Sequence, residues 1–112
     1  MDASVRLMLK TLRKLDPEGE HIGTTKCDEA LRLATEKTEI AFLDVEMPGK
    51  SGFEVAQILK EKFPALHIII MSGEIGYRRQ AQQMSYIFLL KPVFEEDITE
   101  CLKALNIQSK AI

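Results

Sequence analysis

Across residues 3–15, ASVRLMLKTLRKL, apolar side chains recur at Val5, Met8, Leu9, Leu12 and Leu15, with Arg6, Lys10, Arg13 and Lys14 between them. That spacing predicts an amphipathic helix with one buried stripe. Asp16-Pro17-Glu18-Gly19 ends it. HIGTTKC (21–27) is a weak, partly polar strand candidate. Asp28 is the expected N-cap of a second helix with Ala30, Leu31 and Ala34 on its apolar face and Lys37-Thr38 near its end. IAFLDV (40–45) is a continuous apolar run, expected as a strand buried on both faces. GFEVAQILKEKF (52–63) predicts a third helix with Phe53, Val55, Ala56, Ile58 and Leu59 inward, ended by Pro64. HIIIMSG (67–73) is a second β-branched run and YIFLLKP (86–92) a third, separated by a polar helix over 75–85. EEDITECLKAL (95–105) predicts a last helix with Ile98, Cys101, Leu102 and Leu105 on one face.

Strands alternating with helices predict a doubly wound α/β fold, a parallel sheet with helices on both faces. The 112 residues suit a single domain spanning 1–112. A net charge of -2 supplies no basic field, so nucleic-acid binding by this domain gains no support. Cys27 and Cys101 lack a Cys-x-x-Cys spacing and read as reduced thiols near a core. No apolar stretch approaches the roughly 20 residues of a membrane helix, and the amphipathic start is not a signal peptide. A cytoplasmic, reducing compartment is the expectation.

Three apolar runs end in a polar residue followed by a turn: Asp44, Ser72 and Lys91. In a parallel sheet these ends lie on one edge, where open α/β sheets bind ligands. Any one of the three reads most simply as a strand cap. Together they suit phosphoryl chemistry. A carboxylate can attack a phosphoryl donor to give an acyl phosphate, and a hydroxyl and an ammonium can hold the phosphoryl oxygens.

These residues resemble those of a response-regulator receiver domain, the CheY-like module of two-component signalling. Asp-x-x-Met-Pro-Gly-x-x-Gly is present as Asp44, Met47, Pro48, Gly49 and Gly52. Ser72, Lys91-Pro92 and Phe88 match three further family positions, and Ala30-Leu31 a fourth, over about Val5 to Leu105. The resemblance implies a flavodoxin-like sheet. It implies that Asp44 is the phosphoacceptor, Ser72 the switch hydroxyl and Lys91 the phosphoryl contact, with a cis bond to Pro92. Phe88 would be the aromatic that turns inward when Ser72 moves. Mg2+ would be held by Asp44 and the backbone carbonyl of Glu46, whose side chain would modulate hydrolysis of the acyl phosphate. A histidine kinase or phosphotransfer protein would be the donor and a downstream effector protein the reader. The partner contacts would lie on the face from roughly Gly76 to Leu105, with Val93, Phe94 and Glu95 at its edge.

One departure stands out against the family. Its first strand, ending in an acidic pair, has no counterpart before the helix at Ala3. Mg2+ affinity is therefore expected to be weakened, with Asp2 a doubtful substitute. In the strand order 2-1-3-4-5 the missing strand would leave an edge of IAFLDV open. HIGTTKC shifted inward, a second copy of the chain, or a partner protein would fill it; a chain shortened at its start would explain it otherwise. A homodimer through this edge is one expectation, and a degenerate receiver acting as a phosphorylation-independent binding module is the alternative function.

His21 and His67 lack metal-ligand spacing. Tyr77-Arg78-Arg79 reads as a solvated helix face, and Glu95-Glu96-Asp97 as a favourable helix N-terminus. An aspartate-nucleophile phosphohydrolase of the haloacid-dehalogenase class is disfavoured. It needs an Asp where Glu46 stands, and no downstream acidic metal site is seen. The expectation is a non-enzyme.

Overall fold

A computed structural model describes residues 3–47 and 49–105. Along the chain run α1 (Ala3–Leu15), α2 (Cys27–Leu33), β1 (Ile40–Asp44), α3 (Gly52–Lys62), β2 (His67–Ser72), a single 3-10 turn (Ile75–Tyr77), α4 (Arg78–Gln83), β3 (Ile87–Leu90) and α5 (Glu95–Ala104). They fall into two compact units, one holding residues up to 25 and from 94 onward, the other Lys26–Val93.

In the first unit α1 packs on α5. Leu9 is buried in the α1 stripe, and Ile98, Cys101 and Leu102 are buried on α5. Glu95, Glu96 and Asp97 occupy the first turn of α5, where the helix dipole favours negative charge. Asp97 also accepts a hydrogen bond from the Phe94 amide at 2.8 Å. The buried Cys101 thiol is pushed up from 9.0 to about 11, first by burial and then by the charges of Asp97 and Glu100. A raised thiol lends stability below its unfolded value and loses it as pH climbs through the folded one. Unfolding free energy should therefore decline between about pH 9 and pH 11. Burial raises the Tyr86 hydroxyl as well, so its contribution is also lost as pH rises. Urea midpoints of wild type and Cys101→Ala across that window isolate the cysteine: the variant should show the shallower decline.

In the second unit the three strands are parallel and ordered β1-β2-β3. Leu43, Ile70 and Phe88 stand in register. Alternation puts them on one face of the sheet. Val55, Ala56 and Leu59 of α3 and Ala81 of α4 close the core there. The α3 segment follows the expected periodicity, with Phe53, Val55, Ala56 and Leu59 buried and Ile58 half-buried.

Five expectations are corrected. HIGTTKC forms no strand. Asp28 is not a cap: Lys26 takes that position with no side-chain capping bond, and α2 begins at Cys27. The helix stops at Leu33 rather than running toward Thr38, because the Thr35 and Thr38 hydroxyls each accept a backbone amide of the intervening turn. Such local bonds compete with helix. β1 is not buried on both faces, since only Leu43 is buried and its neighbours are half-buried. Finally, the polar helix over 75–85 shrinks to a 3-10 turn and Arg78–Gln83. Gly76 is a poor helix former, and Ser85, at φ 61°, leaves the right-handed region.

The outer side of β1 follows from its inner bonds. His67 donates to the Glu39 carbonyl, and Val45 donates to that of Met71. Residues of that parity turn their backbone toward β2, so Ile40 and Phe42 turn theirs away. Among the described residues no strand pairs with that side.

Candidate functional site

Strand register places the three polar ends together. Asp44 pairs with Met71, one residue short of Ser72, and Ser72 pairs with Leu90, one residue short of Lys91. The Lys91 amide donates to the Ser72 carbonyl at 2.8 Å, carrying the ladder one step beyond β3. All three therefore stand at the carboxyl rim.

Their side chains differ in what they touch. Lys91 Nζ donates to Asp44 Oδ2 in an ion pair. The other carboxylate oxygen, Oδ1, accepts the Glu46 amide at 3.0 Å. The Asp44 side chain is 28% exposed and that of Lys91 36%, so the pair faces solvent and a donor can reach it. The pleat sends Ser72 toward the opposite face from Asp44. It is fully buried, and its hydroxyl accepts the Glu74 amide at 3.0 Å. Phe88 lies half-buried against the core below Ser72. The Glu46 side chain is exposed, and the Lys91-Pro92 bond is cis.

The loop after Asp44 is shaped by local chemistry. Gly49 adopts φ 94°, which side chains resist. Ser51 caps α3, accepting the Glu54 amide at 3.3 Å, while Glu54 accepts the Ser51 amide at 3.4 Å. Gly52 lies so close to the Asp44 backbone that a methyl group there would collide with its carbonyl. Gly52→Ala should therefore cost about 1–3 kcal/mol, the usual penalty for forcing atoms into a filled space. Urea denaturation checks it, and a variant within 0.5 kcal/mol of wild type would contradict the geometry.

The sequence profile described as "Response regulator receiver domain" matches residues 2–103. The chain belongs to that family. A sensory transduction protein of Bacillus anthracis, LytT, is 34% identical over 106 residues, covering 92% of this receiver and 43% of that protein. The receiver thus spans less than half the length of this curated relative. The crystal structure of response regulator protein TrrA from Thermotoga maritima, in complex with Mg(2+)-BeF, is 25% identical with a TM-score of 0.75, covering 89% of this chain and 87% of that one. Chemotaxis protein CheY4 of Vibrio cholerae, at 22% identity, shares the fold with a TM-score of 0.77, covering 93% and 91%. The flavodoxin-like fold expected from the resemblance is the fold found.

Receiver domains typically bind Mg2+. Such an ion takes one or two protein carboxylates along with water and phosphate. Among the described residues, no three Asp, Glu, His or Cys side chains gather closely enough to hold a metal. Both oxygens of Asp44 already have partners, and Asp2 lies outside the described residues. The described residues do not by themselves fit a dedicated metal site.

Two contacts were not legible from residue pattern. Arg78, read as part of a solvated face, stands over the Phe88 ring at 5.6 Å. The Cys27 thiol donates to the Lys50 carbonyl at 3.2 Å, fastening the start of α2 to the loop beyond Asp44. The Ser51-Glu54 box carried a signal, Ser-x-x-Glu before an apolar run, at the start of the helix expected from Gly52.

Proposed function

We propose that this receiver is a phosphorylation switch of two-component signalling, one functional module over its whole length. A histidine kinase or phosphotransfer protein supplies the phosphoryl group, and a protein effector in the cytoplasm reads the result. The observation that carries this is the solvent-facing Asp44 carboxylate held by Lys91 at the strand rim. An Asp44 oxygen attacks the donor phosphorus. The bond from phosphorus to the donor's imidazole nitrogen breaks, its electron pair stays on that nitrogen, and an aspartyl acyl phosphate forms. Lys91 then bonds a phosphoryl oxygen instead of the free carboxylate. The added charge draws the Ser72 hydroxyl from the Glu74 amide toward the phosphoryl group, and Phe88 follows. The chain accepts a group once and does not turn over substrate. Exposure to a small acyl phosphate with Mg2+, followed by intact-mass measurement, tests this. One added phosphoryl group is expected; none at millimolar donor and metal would overturn it.

A second reading has its own observation. The outer backbone groups of Ile40 and Phe42 face a side where no described strand pairs, and β1 carries neither proline nor a basic residue to blunt it. Two copies meeting across a two-fold axis at Phe42 would pair Ile40 with Asp44 and satisfy those groups. A stable dimer in sedimentation, unchanged by acyl phosphate, would favour this phosphorylation-independent module. A monomer would exclude the dimer.

A further inference from the structure

The turn between β2 and α4 joins Ser72 to Phe88 through a series of contacts, and Arg78 is its last link. The Ser72 hydroxyl accepts the Glu74 amide at 3.0 Å. The Glu74 carbonyl accepts the Tyr77 amide at 3.3 Å, closing the 3-10 turn. The Tyr77 ring rests on Phe53 of α3, centroids 6.0 Å apart. Arg78, the first residue of α4, lays its guanidinium over Phe88 at 5.6 Å. That lies within the roughly 6 Å over which a cation is attracted to a ring face. Moving Ser72 off Glu74 releases the first bond of this series, while Arg78 still holds the ring.

We propose that Arg78 is a positioning residue, a latch that keeps Phe88 in its resting place until the Ser72–Glu74 turn loosens. This rests on the reading of Ser72 and Phe88 as the switch pair. Arg78 touches no reacting atom. Its guanidinium is exposed, so its removal leaves the core intact. Its planar cation stacks on the ring in a way an ammonium only partly reproduces, so lysine should serve as a partial replacement. The effect on switching should be about two- to five-fold, the factor that corresponds to an exposed cation–π contact.

The test follows Phe88 by 19F NMR in chain carrying fluorophenylalanine, its signal assigned with Phe88→Leu. Spectra are taken at rest and during titration with beryllofluoride and Mg2+. In Arg78→Met the resting Phe88 signal should move toward its beryllofluoride position. Half-saturation should come at about two- to five-fold less beryllofluoride. Arg78→Lys should fall between that variant and wild type. If both variants match wild type while beryllofluoride still moves Phe88, the latch is overturned and the switch reading stands. If beryllofluoride leaves Phe88 unmoved in wild type, the switch reading fails, and the latch with it.

Discussion

Asp44→Asn should reduce phosphoryl labelling to background. Its amide nitrogen is no nucleophile toward phosphorus, and its oxygen is far weaker than a carboxylate. The substitution preserves shape. The amide oxygen can still accept from Glu46, so the loop leading to α3 keeps its anchor. Lys91 loses its ion pair but remains partly exposed, where water can solvate it. Exposed pairs contribute about 0–1 kcal/mol, so the variant should remain folded. Labelling by a small acyl phosphate, read by intact mass beside circular dichroism, separates loss of chemistry from loss of fold. A variant labelled as fast as wild type would move the acceptor elsewhere.

Ile70→Ala should produce the largest loss of stability. Ile70 is fully buried on the central strand, between Leu43 and Phe88 in register. Truncation removes buried methyl groups and leaves a gap that β2, bonded on both sides, cannot close. Such changes cost about 2–5 kcal/mol, against about 5–15 for a whole domain. Urea unfolding should show a sharply lower midpoint with little change in slope. Leu90→Ala, at a position 42% exposed near the strand end, should cost far less. Equal losses at the two positions would mean that the core has been misplaced.

What was legible followed the strength of periodicity. The α1 stripe, the HIIIMS run and the α3 face each repeat a pattern long enough to survive context, and each element lies where it was expected. Asp44 and Lys91 were found because strand ends in a parallel sheet share an edge, an argument that needs no side-chain detail. Short, polar segments failed. HIGTTKC has β-branched residues but no apolar face to hold it in a sheet, and Thr35 with Thr38 stopped a helix that composition favoured. The Arg78–Phe88 contact was invisible because its partners lie ten residues apart on different elements. Only the packing of α4 on β3 brings them together.

Spatial order in the sheet repeats chain order, β1-β2-β3. No strand of the three has to be threaded between two that are already in place. As the polypeptide leaves the ribosome, β2 can dock on β1 as soon as α3 has emerged, and β3 on β2 once α4 has followed. Synthesis therefore delivers Asp44 first and Lys91 last, so their shared rim is completed only when β3 arrives.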